Sequence, residues 1–181
     1  KPVNEELLLG LDATLNNMVE SRRGVINAWQ SGNEIGLYTE NKNLKYTYDG
    51  SKWIAAEQYE VQNEQTVYAY HPYDQNATDM KLDIDLTKQE DVMYGKCAVT
   101  PDFPTAKPVM NHALSLIRIK LMRDEYIGKG LITDVMIKNV SSSLIMNILD
   151  GDIWIQEGKS DIPIGGGYML NDANPAVSEA I

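Results

Sequence analysis

Few residues in this chain of 181 are of types and spacings that do chemistry. His112 and Ser115 supply a base and a hydroxyl, the components of a nucleophilic pair. They lie in residues 111–121, which read as a strand, and strand residues three apart project to opposite faces, so neither activates the other. Asp74, Asn76 and Thr78 fall on the first three ligand positions of a calcium loop. The sixth position of that loop is Asp79, where the turn needs glycine, and the twelfth is Asp85 in place of glutamate. Asp83 and Asp85 instead alternate with Leu82, Ile84 and Leu86, which is the pattern of a solvated strand face. Cys97 has only Lys96 beside it as a cation and reads as a buried small apolar residue. With no glycine-rich phosphate loop, no His/Cys metal spacing and no paired carboxylates on a recognisable scaffold, no catalytic residue, cofactor site or metal ligand is assigned.

The aromatic residues offer a different chemistry. Trp53, Tyr68, Tyr70 and Tyr73, with Tyr46 and Tyr48, have the ring content of a platform for stacking sugars. Aromatic side chains on strands also serve cross-strand packing, which is the preferred reading. Arg22 and Arg23, in the polar stretch 20–24, read by themselves as a solvated pair in a loop.

These residues must be positioned by strands. Period-two segments recur at Ile35/Leu37/Thr39, Leu44/Tyr46/Tyr48, Thr66/Tyr68/Tyr70, Met80/Leu82/Ile84/Leu86, Leu131/Thr133/Val135/Ile137 and Leu144/Met146/Ile148, and nothing of comparable clarity has helical period. The expected class is all-β, an antiparallel sandwich of about seven strands. Asp49-Gly50 and Asp150-Gly151 read as two-residue hairpin turns. Counting outward from them pairs Tyr46 with Trp53, Ile148 with Ile153 and Met146 with Ile155. In residues 111–121 the odd positions Ala113, Ser115, Ile117, Ile119 and Leu121 form a nearly apolar face, while the even side passes from Leu114 and Leu116 to Arg118 and Lys120. That predicts a central strand with Ile117 in the core.

Two stretches are poor strand material: the Asx-rich segment 74–79, and the passage through Pro101, Pro104 and Pro108, read as an irregular crossover. The N-terminus is ambiguous. Leu7, Leu8, Leu11, Leu15, Met18 and Val19 fit a helical stripe, whereas Leu7, Leu9, Leu11, Ala13 and Leu15 alternate strictly. Gly10, Asp12 and Thr14 are poor helix formers and favour the strand. After Pro163 the chain runs through Gly165-Gly166-Gly167 into small and polar residues. The expected organisation is one domain over residues 1–164, then a linker or the start of a second domain over 165–181.

A net charge of −10 argues against nucleic acid or an anionic membrane surface as partner. No apolar run approaches the roughly twenty residues that span a bilayer. Residues 1–6 lack the basic-then-apolar pattern of a signal peptide, so any leader and lipid-bearing cysteine would lie upstream. The single Cys97 forms no internal disulfide and leaves the redox compartment open.

Residues 111–121, taken with Asp91-Val92-Met93-Tyr94-Gly95, Tyr68-Ala69-Tyr70-His71-Pro72-Tyr73 and Gly32-Asn33-Glu34-Ile35-Gly36-Leu37-Tyr38, carry a resemblance. In order and spacing the set resembles the fimbrillin family, the surface pilus subunits and related lipoproteins of anaerobic oral and gut bacteria, across roughly residues 23–160.

The resemblance implies a transthyretin-like sandwich and a structural, non-enzymatic role: an adhesive or assembly subunit of a fimbria, exported to the cell surface and outer membrane, with a lipid anchor upstream. Its partners would be other fimbrial subunits or copies of itself, with host or bacterial surface ligands. The implied mechanism is strand exchange, with Leu7, Leu9, Leu11, Ala13 and Leu15 on the exchangeable strand and Arg22 or Arg23 as the site of Arg-specific cleavage. The rival reading is a carbohydrate-binding β-sandwich module of a surface lipoprotein, using Trp53, Tyr68, Tyr70 and Tyr73.

Overall fold

Alternation of apolar and polar residues is the dominant local signal, and it is what a strand with one buried face requires. The computed structural model of the chain describes residues 4–16, 25–40, 42–122, 128, 130–170 and 176–180. Its helices among the described residues are two single 3-10 turns, Glu5–Leu7 and Leu86–Lys88. The strands are β1 (Gly10–Leu11), β2 (Thr14–Leu15), β3 (Glu34–Tyr38), β4 (Asn43–Tyr48), β5 (Trp53–Ala55), β6 (Gln65–His71), β7 (Lys81–Asp85), β8 (Met93–Val99) and β9 (Thr105–Ala106). They continue as β10 (Val109–His112), β11 (Ile117–Leu121), β12 (Gly130–Ile132), β13 (Val135–Ser141), β14 (Ser143–Asn147), β15 (Ile153–Ile155), β16 (Lys159–Gly165), β17 (Tyr168–Leu170) and β18 (Ala176–Ala180).

One seven-stranded sheet runs β2-β10-β8-β6-β3-β4-β5, antiparallel except where β2 lies parallel to β10. A second sheet, β15-β14-β7, is antiparallel throughout. Both faces of the large sheet are covered. Alternate residues Tyr38, Tyr68, Tyr70 and Tyr94 pack on Leu82, Ile84, Leu144, Met146 and Ile148 of the second sheet and its turn, closing the sandwich. Their neighbours Ile35, Leu37, Val67, Ala69 and Met93 face the opposite way, with Leu44, Tyr46 and Met110, and pack under Leu9, Leu11, Ala13 and Val61. The expected all-β antiparallel sandwich is therefore the fold observed. Gly36 is on the tyrosine face, where a β-carbon would lie 2.0 Å from the Tyr70 ring; the fully buried ring occupies that space.

Several local expectations are corrected. Residues 111–121 are not one strand: β10 ends at His112 and β11 starts at Ile117. Ala113 and Leu114 turn into the tyrosine-side core, and the chain leaves the large sheet to pair with β18. Ile117 is therefore 48% exposed, outside the core.

Both hairpins are wider than a two-residue turn. Tyr48 faces Trp53 and Tyr46 faces Ala55, because Asp49 Oδ1 accepts from the Ser51 and Lys52 amides and props open a loop of residues 49–52. Likewise Met146 faces Ile153 and Leu144 faces Ile155, across a loop of residues 148–151 closed by Asn147 N donating to Asp152 O. Each register moves by two residues, so the faces are preserved although the partners change.

The proline-containing passage is partly a strand, since β9 and β10 run parallel to β1 and β2. Pairing also continues past residue 165: β17 returns to β12 and β18 to β11, while β13 pairs with β16 and their apolar residues gather around Ile162 and Ile164.

Candidate assembly site

The N-terminal residues lie across the large sheet as an extended segment in which inside and outside alternate. Leu9 (4% exposed), Leu11 (8%) and Ala13 (5%) are buried and Leu15 packs at the end of the row, whereas Asp12 and Thr14 face solvent. Period-two burial of this kind selects a strand over a helix. Leu7 is different: it belongs to the 3-10 turn and is only half-buried.

Two neighbours hold the backbone. At one end, Leu9 N donates to Tyr59 O (2.8 Å) and Val61 N to Leu7 O (2.9 Å). Further along, Gly10, Asp12, Thr14 and Asn16 donate to the carbonyls of Pro104 (3.2 Å), Ala106 (2.8 Å), Pro108 (3.1 Å) and Met110 (2.8 Å). A parallel ladder in this register asks residue 108 to return an N–H to Asp12, and proline has none. The ladder lacks one rung there, and β1 and β2 are separated at that point.

Backbone groups on the other side of the segment take side-chain partners from the body. Tyr46 Oη donates to Leu9 O at 2.7 Å and Trp29 Nε1 to Ala13 O at 2.8 Å. Asn16 Nδ2 donates to Asn111 Oδ1 at 2.8 Å. Burial pushes the Tyr46 phenol far above its ordinary pKa, so it stays a neutral donor.

The chain that re-enters the described structure at Val25 is fastened separately. Ile26 N donates to Asp91 Oδ2 at 2.8 Å, and His112 Nδ1 lies 2.9 Å from the same carboxylate. A carboxylate only accepts, so Nδ1 carries the hydrogen. Both side chains are almost fully buried, at 3% and 2% exposure. Next to this pair His71 Nδ1 donates to Glu34 O at 2.6 Å, with Trp29 edge-on to its ring. Burial lowers the His71 pKa, against an upward pull from the Glu34 carbonyl and Asp91.

A family model described as fimbrillin-like matches residues 21–176. The chain belongs to the fimbrillin-like family. Solved structures that share the fold include two cell adhesion candidates. A candidate cell adhesion protein from Bacteroides ovatus ATCC 8483 superposes with TM-score 0.68 at 16% identity, covering 96% of this chain and 77% of that one. A candidate cell adhesion protein from Bacteroides thetaiotaomicron VPI-5482 gives TM-score 0.52 at 12% identity, covering 88% and 69%. No curated protein matches the chain. Membership makes this a structural, non-enzymatic protein of the surface-exposed fimbrial class. No helix among the described residues is long and apolar enough to cross a membrane.

In this fimbrillin-like protein the residues read as an exchangeable strand are brought together in one row, apart from Leu7 in its turn. Arg22 and Arg23 lie outside the described residues. The four aromatic residues of the stacking reading are not brought together. Trp53 packs on the segment side against Trp29 and Tyr48, with ring centroids at 5.0 and 5.2 Å. Tyr68, Tyr70 and Tyr73 belong to the tyrosine side, where the Tyr70 hydroxyl lies within 3.0 Å of Asn43 Oδ1 and 2.9 Å of Asp74 O. His112 is structural, through a partner sequence reasoning missed: Asp91 opens one of the motifs quoted above, and a carboxylate directly ahead of an apolar strand is the signal for a buried acceptor.

Proposed function

We propose that this fimbrillin-like protein is a structural subunit of a surface fimbria, acting in adhesion or assembly, in which residues 7–15 are a strand that cleavage releases and a strand of a neighbouring subunit replaces. Arg22 or Arg23 is the processing site, and the protein is exported and lipid-anchored at the outer membrane before processing. The observation that carries this reading is the row Leu9, Leu11 and Ala13, buried in the body but tied to it by a ladder with a missing rung.

Burying Leu9 and Leu11 contributes about 3–6 kcal/mol, a large part of the roughly 5–15 kcal/mol that stabilises a domain. A body that lost the segment would expose an apolar groove and the free edge of β10, and a second strand with the same alternation would satisfy both. Ile26, fastened to Asp91, keeps the downstream chain on the body after a cut. The two structural neighbours, each described as a candidate cell adhesion protein, support an adhesive role.

A synthetic peptide of residues 4–16 tests the exchange. Added to protein cut at Arg22 or Arg23 and freed of its own segment, it is expected to bind stoichiometrically and restore the original unfolding midpoint. A cut body that stays folded without taking up the peptide would contradict the reading.

A further inference from the structure

Between β5 and β6 the chain forms a rim loop that borders an open cleft of about 450 Å³. Four carboxamides line it, Gln58, Gln62, Asn63 and Gln65, with two carboxylates, Glu40 and Glu60, and one ring, Tyr59. Among the described residues the lining includes no aliphatic side chain and no cation.

Each carboxamide presents donors and an acceptor in one plane, and the carboxylates add acceptors. Such a wall is matched by a ligand dense in groups that both donate and accept, which is the character of vicinal hydroxyls. Two carboxylates, with no cation among the described lining residues, on a chain of net charge −10, disfavour anions. Tyr59 offers a ring for the C–H face of a pyranose. The volume lies within the usual range of small-molecule sites.

The floor is already fixed. Tyr59 Oη and Gln65 Oε1 are 3.4 Å apart, Asn4 N donates to Glu60 Oε1 at 3.0 Å, and the backbone on either side of Glu60 is bonded to Leu7 and Leu9. Val61, between floor and core, is fully buried. A floor held this way loses little freedom when a ligand binds.

We infer that this cleft is a binding site for a neutral saccharide. It lies away from the Trp53 and tyrosine positions and does not depend on strand release. It is nonetheless coupled to the segment: residues 4–9 hold the floor in place, so a bound saccharide favours the seated segment and a departing segment weakens binding.

The test is calorimetric titration of the intact protein with maltotetraose, cellotetraose, xylotetraose, mannotetraose and chitotetraose, with trigalacturonate as the anionic control. At least one neutral saccharide should bind and trigalacturonate should not. The double variant Gln62→Ala/Asn63→Ala, in which both exposed side chains are removed, should keep its unfolding midpoint and bind about tenfold more weakly or worse. If that variant does not fold, Gln58→Ala reports the same loss. Hydrogen exchange at the Leu9 and Val61 amides should slow when the saccharide is bound. The inference is overturned if no neutral saccharide of the set binds, if trigalacturonate binds as well, or if the variants bind as the parent does. Unchanged exchange at Leu9 and Val61 would overturn the coupling.

Discussion

Tyr46 Oη donates to the carbonyl of Leu9 at 2.7 Å, from a ring 1% exposed in β4 to the segment lying across the sheet. Through this bond a residue of the permanent core holds a residue of the strand proposed to leave. Trp29 does the same for Ala13. Seating the segment is thus more than filling a groove, because it satisfies buried polar groups on both sides.

Tyr46→Phe removes the donor and leaves the Leu9 carbonyl buried and unpaired, at a cost of about 1–3 kcal/mol. The loss should be local. Amide exchange at Leu9 and Asp12 should quicken more than at Val67 in the centre of the sheet. An equal change at both sites would mean that the bond supports the whole body and does not act specifically on the segment.

Asp91→Ala strips both Ile26 N and His112 Nδ1 of their acceptor and should destabilise the protein by about 2–3 kcal/mol. The urea midpoint with an unchanged slope is the readout. His112→Ala in the Asp91→Ala background should add little, since the partner is already gone; full additivity would show that the two side chains are not coupled.

His71 sets a pH dependence whose sign follows from its lowered pKa. As pH falls, the unfolded chain takes up a proton near the ordinary value of 6.5 before the folded chain does, so stability is full above that value and declines below it. Asp49, Asp85 and Asp161 have lowered pKa values from local hydrogen bonds, so their contributions are lost only in the more acidic range below the ordinary carboxylate value of 3.8. Urea midpoints measured from pH 7.5 down to 5 should fall for the parent and stay flatter for His71→Gln. A parent midpoint that rises on acidification would contradict the assignment.

Two substitutions separate core from surface. Gly36→Ala drives a methyl into the Tyr70 ring and should cost roughly 1–3 kcal/mol. Ile117→Asp, on a half-exposed strand outside the sandwich, should change the thermal midpoint little. Reversal of that order would place Ile117 back in the core.

The alternation that identified the strands was legible because burial enforces period two; Leu82/Ile84 and Leu144/Met146 face inward as expected. Partners were less legible. Asp49 and Asn147 open their loops through bonds that no two-residue turn rule contains, which moved Trp53 from Tyr46 to Tyr48. The break at Ala113 was hidden because both faces of residues 111–121 are apolar at the start, and periodicity cannot say which sheet a strand joins. At the candidate site the row Leu9, Leu11 and Ala13 was readable, whereas the missing rung at Pro108 depends on a parallel register that appears only when the segment is laid against residues 104–110. The amide-lined cleft carried no sequence signal, since Gln and Asn at Gln58, Gln62, Asn63 and Gln65 look like any polar loop.

The central claim is that the segment of residues 7–15 is removable and replaceable. It is tested most directly by limited trypsin digestion, with intact mass to locate the cut and light scattering to follow size. The expected result is a cut after Arg22 or Arg23, a body that keeps its sheet signal, loss of the N-terminal fragment and then growth into oligomers that added residues 4–16 peptide suppresses. Resistance at both arginines, or a cut product that unfolds or stays monomeric with its groove empty, would contradict it.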